Sequence, residues 1–403
     1  MTTASTYIDQ AKTVVVKIGS ALLVDDNGAL QRGGLAGFAA DLAMLHAKGC
    51  RCVVVSSGAI ALGRHRLAKA STRLKLEEKQ AAAALGQVQL ASEWKAALNK
   101  EGLDAAQILL SPDDTERRRR HLNARATLNT LLDHGIIPVV NENDTVATME
   151  IRYGDNDRLA ARVAQMISAD VLILLSDIDG LYTADPHHDQ TAQHIPEVRK
   201  IGDEIKAMAG PAHEDFASGG MITKIEAGRI ATQAGCHMAI CNGQNIRPIE
   251  GLINGQRATW FIADANPPQA RKKWIAGGLQ PQGQLFLDAG AVKALHHGKS
   301  LLAAGITKAE GMFDRGDLVA VCDDQGHEIG RGLSNYSAGD VVKIAGCKSA
   351  AIPDILGYRG RDEVIHADDL VIDHETIDDQ SAAQSAAQSS AQSTGENTGQ
   401  KTG

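Results

Sequence analysis

One alternation constrains this chain more than any other feature. Short aliphatic runs rich in Val and Ile recur between longer stretches of helical spacing. Thr13 to Ile18 (TVVVKI) is the first run and ends in Gly19-Ser20; Cys52 to Val55 is the second and ends in Ser56-Ser57-Gly58. Ala105 to Leu110, Ile136 to Val140 and Val171 to Leu175 continue the series. Between the runs, Leu35 to Lys48, Leu122 to Asp133 and Arg158 to Ser168 carry apolar residues at helical spacing. An Ala-rich helical stretch also follows Gly58, interrupted by the charged segment from Arg64 to Lys79. Strand alternating with helix predicts an α/β fold, a mostly parallel sheet sandwiched by helices. Ligands in such folds sit beyond the carboxyl ends of the strands, where most polar motifs of this chain fall.

Aromatic residues make up only 3% of the chain, so the layers must pack through Ala, Val, Ile and Leu. A net charge of -8 argues against a chain whose main role is to grip phosphate backbones by bulk charge. Met1 to Lys12 is polar, and no run of about 18 apolar residues occurs, so a cytoplasmic protein without a membrane segment is expected. The six cysteines form no C-x-x-C pair, which predicts reduced thiols and no metal site.

Texture changes along the chain. Residues 12–262 hold the alternating pattern. Residues 263–283, with three prolines, several glycines and Arg271-Lys272-Lys273, read as a linker with a short helix. From 284 to 373, apolar runs such as Leu318 to Val321 and Val341 to Ile344, separated by turn signals such as Asp323-Asp324-Gln325-Gly326, predict a small β-rich domain. Residues 374–403, Gln/Ser/Ala/Thr/Gly repeats with almost no large apolar side chain, are expected to be disordered.

Six motifs can carry chemistry. Lys17 stands at the end of a buried run beside Gly19-Ser20, where an ammonium and backbone N–H groups can face phosphates. Ser56-Ser57-Gly58 opens a helix with small residues that let a ligand approach the backbone. Asn141-Glu142-Asn143-Asp144 crowds four polar side chains at a strand end. Gly154-Asp155-Asn156-Asp157 opens a helix with more polar groups than a cap needs. Ser176-Asp177-Ile178-Asp179-Gly180 follows another buried run. Ser218-Gly219-Gly220-Met221-Ile222-Thr223-Lys224 joins a glycine pair to a hydroxyl and a lysine. Each also has a plain structural explanation: a snorkelling lysine, an N-cap, a turn or a capped loop. Arg117 to Arg120 reads as a solvated basic turn ahead of a helix. His187, His188 and His194 lack a matching ligand set.

Order and combination of these motifs are more specific than any one of them. Over roughly residues 12 to 262 the chain resembles the amino-acid kinase family, through NENDTVAT, GDND, GLYTADP and SGGMITK in that sequence order with Arg119 to Ala126. The C-terminal segment resembles a PUA domain. The resemblance implies ATP-dependent phosphorylation of the 5-carboxylate of L-glutamate, the first step of proline biosynthesis. It implies ATP contacts from Lys17, Gly19, Ser20, Ser176, Asp177, Ser218, Gly219, Gly220, Met221, Ile222, Thr223 and Lys224. It implies glutamate contacts from Ser57, Gly58, Asp144, Asp155 and Asn156, with Asp157 orienting Lys17 and Lys224 in the catalytic group. Mg²⁺ carried with ATP, proline as a feedback inhibitor, a homo-oligomer, and RNA binding by the PUA-like segment are further implications. The alternatives are another acyl-phosphate-forming kinase acting on aspartate, acetylglutamate or carbamate, or an RNA-binding or regulatory protein on a kinase scaffold.

Overall fold

The structure, a computed structural model, describes residues 3–67, 74–146, 156–186, 188–209, 220–277 and 280–372. The chain forms two compact units, one ending at Ala270 and one beginning at Arg271. The expected tail of residues 374–403 lies outside the described residues.

In the first unit the chain runs α1 (Thr3–Gln10), β1 (Thr13–Ile18), α2 (Arg32–Ala47), β2 (Arg51–Ser56), α3 (Ala59–Arg64), α4 (Leu76–Lys100), β3 (Ala105–Leu110), α5 (Pro112–Glu116), α6 (Arg118–Asp133) and β4 (Ile137–Glu142). It continues through α7 (Asn156–Ile167), β5 (Val171–Ser176), the short ribbon β6 (Leu181–Tyr182) and β7 (His194–Ile195), β8 (Glu197–Val198), α8 (Asp203–Ala207), α9 (Met221–Gln233), β9 (His237–Asn242), α10 (Pro248–Ile253) and β10 (Ala258–Phe261). One eight-stranded sheet has the order β3-β4-β2-β1-β5-β9-β10-β8. The pairings from β3 to β9 are parallel, and β10 is antiparallel to β9.

The central strands are buried along their whole length. A β-branched run with no polar alternation suits a strand covered on both faces. Alternate residues of β1 enter different cores. Val14, Val16 and Ile18 pack with Phe38, Leu42 and Trp94, whereas Val15 packs with Val163, Met166 and Ile225. Lys17, two residues beyond Val15, therefore leaves the strand on the α7 and α9 side.

On the other side, α3 and α4 approach unusually closely. A Cβ at Gly63 would fall 1.8 Å from the Ala82 carbonyl oxygen, and one at Gly86 would fall 1.8 Å from that of Ala59. This paired glycine contact seats α4 against the strand ends. The charged segment expected to interrupt the helical stretch ends earlier than read, because α4 already begins at Leu76, with Glu78 accepting from the Lys75 N–H.

The second unit contains most of α11 (Pro267–Gly277), which falls within the expected linker, then β11 (Gly283–Leu287), α12 (Ala289–His296), β12 (Leu301–Leu302), β13 (Ile306–Gly311), β14 (Leu318–Cys322), β15 (Glu328–Leu333), α13 (Ala338–Ile344), α14 (Ile352–Leu356), β16 (Glu363–Ile365) and β17 (Leu370–Ile372). Its sheet has the order β13-β11-β14-β15-β17. The Asp323 to Gly326 turn joins β14 to β15. Asp323 accepts from the N–H groups of Gln325 and His327, and Gly326 takes a φ of 89°. The Val341 to Ile344 run, expected to be extended, is helical. Ser337 caps it by accepting from the Asp340 N–H, and the buried Val341 and Ile344 stand three apart while Val342 faces solvent.

Candidate active site

The candidate site is assembled where four adjacent parallel strands end. Its centre is Asp157, in the first turn of α7 and only 1% exposed. An acidic side chain is favoured at a helix N-terminus. One Asp157 oxygen, Oδ1, lies 2.6 Å from Lys17 Nζ at the end of β1; the other, Oδ2, lies 3.3 Å from Lys224 Nζ in the first turn of α9. Thr223 Oγ1 donates to Oδ2 at 2.9 Å. Burial alone would push this carboxyl up, but Lys17 and Lys224 outweigh it and hold Asp157 at about 2. Both lysines are buried, at 7% and 5% exposure. The chain thus keeps two cations and one anion dry at one point, a net positive charge suited to an arriving polyanion.

The preceding residue, Asn156, turns the other way. Its Nδ2 donates to Ser57 Oγ at 2.7 Å and to Asn141 Oδ1 at 3.1 Å. Its own Oδ1 is buried and, among the described residues, has no hydrogen-bond partner. Ser57 follows β2, and its N–H donates to the Ile18 carbonyl. Gly58 then adopts a φ of 111° to start α3, in the left-handed region that favours glycine. Below it, Trp94 Nε1 donates to the buried Ser56 hydroxyl at 2.9 Å and fixes the end of β2.

Asp144 lies just past β4 and is 8% exposed. Among the described residues its carboxylate has no ion-pair or hydrogen-bond partner, and burial pushes it up to about 6. It lines a cleft of about 250 Å³ with Gln87, Gln107, Glu142 and Asn143.

The residues expected to contact ATP are spread around the lysine end. Ser176 ends β5 beside β1 and donates its hydroxyl to Asp177 at 2.9 Å. Gly19 leads into a 3-10 turn over Ser20–Leu22, and a Cβ there would stand 3.9 Å from Lys17 Nζ. Gly220 caps α9, and Met221, Ile222, Thr223 and Lys224 form its first turn. Ser218, Gly219 and Asp155 lie outside the described residues, as do Gly154 and His187. Arg118 to Arg120 open α6 rather than preceding it. Arg117 and Arg120 pair with Asp113 and Asp114, carboxylates of α5 on the same chain.

Two contributors escaped the motif reading. Gln87, on α4, accepts from Asn141 Nδ2 at 2.8 Å. Its signal was a lone amide on the spacing Ala83, Gln87, Leu90, Trp94, otherwise apolar and facing the core. Asn141 was part of a motif but not singled out, although its side chain links Gln87 to Asn156.

A family model described as the amino acid kinase family matches residues 12–242, and a PUA domain model matches residues 283–356. The chain is 57% identical over 364 residues to a glutamate 5-kinase of Paramagnetospirillum magneticum, covering 90% of this chain and 98% of that one. It is 56% identical over 370 residues to a glutamate 5-kinase of Bradyrhizobium sp., covering 92% and 98%. A glutamate 5-kinase of Gluconobacter oxydans is 56% identical over 365 residues, covering 90% and 97%.

Proposed function

The chain belongs to the amino acid kinase family, among its glutamate 5-kinases, and from that premise we propose how its own residues carry ATP-dependent phosphorylation of L-glutamate. The reaction is the first step of proline biosynthesis. A 5-carboxylate oxygen attacks the γ-phosphorus of ATP, the bond from phosphorus to the β–γ bridging oxygen breaks, and glutamyl 5-phosphate and ADP leave. A glutamate side chain with an ordinary pKa of about 4.3 is already ionised at neutral pH. No general base is needed, and the obstacle is bringing one anion up to another.

Lys17 and Lys224 meet that obstacle as paired cations on the phosphoryl group in flight, and Asp157 holds both in position. With both Asp157 oxygens facing lysines, this carboxylate is an orienting group rather than a metal ligand. Magnesium would come with ATP and would supply further neutralisation of phosphate charge. The α-ammonium of glutamate is received by Asn156 Oδ1 and the Asp144 carboxylate, neither of which has a partner among the described residues, with Ser57, Gly58 and Asp155 completing that end. Gly19, Ser20, Ser176, Asp177 and the turn from Ser218 to Lys224 hold ATP.

The observation that carries this reading is an adjacency. Asn156 and Asp157 are consecutive, yet one faces the amide and hydroxyl groups and the other the lysines. Substrate recognition and phosphoryl stabilisation therefore share one helix turn. Catalysis belongs to residues 12–262 in this proposal, joined by the segment 263–283 to a PUA domain extending over 284–373. A cytoplasmic location, feedback by proline, self-association and RNA binding through the PUA domain enter on family resemblance.

The test is ADP release with Mg-ATP and L-glutamate, with the acyl phosphate trapped as hydroxamate by hydroxylamine. Glutamate should be turned over well ahead of aspartate, N-acetylglutamate and carbamate. Equal or faster turnover of any of these overturns the substrate assignment.

A further inference from the structure

The substrate end contains a chain of amides whose direction is set by a single backbone group. The Glu142 N–H donates to the Asn141 side chain at 2.9 Å. A backbone N–H can only donate, so the Asn141 atom facing it is Oδ1. The other arm of Asn141 is then Nδ2, and it donates to Gln87 Oε1 at 2.8 Å. Asn156 approaches the same Asn141 Oδ1 and must do so with its nitrogen, at 3.1 Å. That leaves Asn156 Oδ1 as the buried atom without a partner among the described residues.

We infer that Gln87 is a positioning residue for glutamate recognition, acting through Asn141 to present Asn156 Oδ1 as an acceptor for the substrate ammonium. The terminal torsion of an asparagine is broad, so one hydrogen bond fixes its plane weakly. The Glu142 N–H holds the oxygen end of Asn141, and Gln87 holds the nitrogen end. Together they clamp the plane on which Asn156 leans. Gln87 itself is 8% exposed among Ala83, Gly86 and Leu90, where a purely packing role would favour an apolar side chain. Its Nε2 is buried without a partner among the described residues, so Oε1 is the end that contacts the chain there. The glycine contact between α3 and α4 brings Gln87, next in sequence to Gly86, to this depth.

This inference rests on the ammonium reading above, and the experiment separates the two. Steady-state turnover is measured with L-glutamate and with glutarate, which keeps both carboxylates and lacks the amine. The natural chain should strongly prefer glutamate. Gln87→Met should raise the glutamate KM about tenfold, as expected for one buried hydrogen bond lost with its partner stranded. Its kcat, its ATP KM and its glutarate kinetics should stay within about twofold, so preference for glutamate falls in step. Gln87→Glu keeps an acceptor toward Asn141 and should restore most of that preference. A cooperatively melting Gln87→Met with natural glutamate KM overturns the relay. So does an equal rise in KM for glutamate, glutarate and ATP, which would mark a packing defect. If Gln87→Met does not fold, Gln87→Glu decides alone, and loss of the preference in that variant overturns the relay. A natural chain that uses glutarate as readily as glutamate overturns the ammonium reading instead.

Discussion

Replacing Asp157 by Asn removes one charge and almost no volume, so its effect can be worked from the triad alone. The carboxyl sits at about 2 in the folded chain against an ordinary 3.8. That difference is worth about 2 kcal/mol of folding stability at neutral pH. The sign follows from a depressed carboxylate: the contribution is present above the unfolded value near 4 and is lost as pH falls toward 2. Removing the anion also strands the buried Lys17 and takes from the buried Lys224 one of its partners, and losing one partner of a buried pair typically costs about 3–5 kcal/mol. The lysines can swing toward water, so the thermal shift should follow the lower figure, about 4–8 °C for a domain of this size. Turnover should suffer more. A displaced lysine is a lost preorganised donor, typically about a hundred- to a thousandfold in kcat, and Asp157→Asn disturbs two. Coupled ADP release, run beside Lys17→Ala and Lys224→Ala, should place Asp157→Asn at least as low as the weaker lysine variant. The melting gap from the natural chain should narrow between pH 4 and pH 2. A folded Asp157→Asn that keeps kcat within threefold would refute the idea that one carboxylate holds both cations.

Three other outcomes are expected. Because burial raises Asp144 to about 6 and the substrate ammonium needs its ionised form, glutamate KM should be flat above about pH 7 and climb roughly tenfold per unit below 6. Asp144→Asn should raise KM and flatten that profile, and a natural profile with no acid limb near 6 contradicts the assignment. Gly86→Ala should lower stability by about 2–3 kcal/mol, because the new Cβ meets a backbone oxygen that cannot move freely. Gly33→Ala, with open space around it, should leave the melting temperature unchanged. A chain ending at Ala270 contains every residue proposed for chemistry and should phosphorylate glutamate once shown to be folded. A folded but inactive fragment would mean that the second unit helps to build the site.

Much of the first unit was legible because its strands are uniform. Thr13–Ile18 and Ala105–Leu110 have the read boundaries, since a β-branched or aliphatic run flanked by polar turns has few other states. Boundaries slipped where polar side chains remain inside an element. β4 continues through Asn141 and Glu142, whose backbones pair with Leu109 and Leu110 while the Asn141 side chain reaches Gln87 and Asn156. The start of α6 at Arg118 was hidden because its first turn is all arginine, steadied by carboxylates on α5. Val341 to Ile344 looked extended because β-branching favours strands, yet a serine cap and two buried positions three apart made it helical. At the site, motifs of adjacent residues were visible, and contributors supplied singly from a distance were not. Gln87 lies 54 positions before Asn141, and no local pattern joins them.

The shared carboxylate also has a consequence for how the chain is made. Lys17 belongs to the first strand to leave the ribosome, whereas Asp157 and Lys224 arrive far later. With about 140 residues between Lys17 and Asp157, synthesis at about 5–20 residues per second leaves a lag of about 7–28 s. During that interval the early sheet cannot close around an unpaired ammonium without a heavy desolvation penalty. The Lys17 end of the nascent sheet therefore stays wet until α7 has formed, and the second cation waits for α9. A chain cut short before Lys224 lacks the second cation, most of α9 and the strands that follow, so its electrostatic centre and its core are incomplete together.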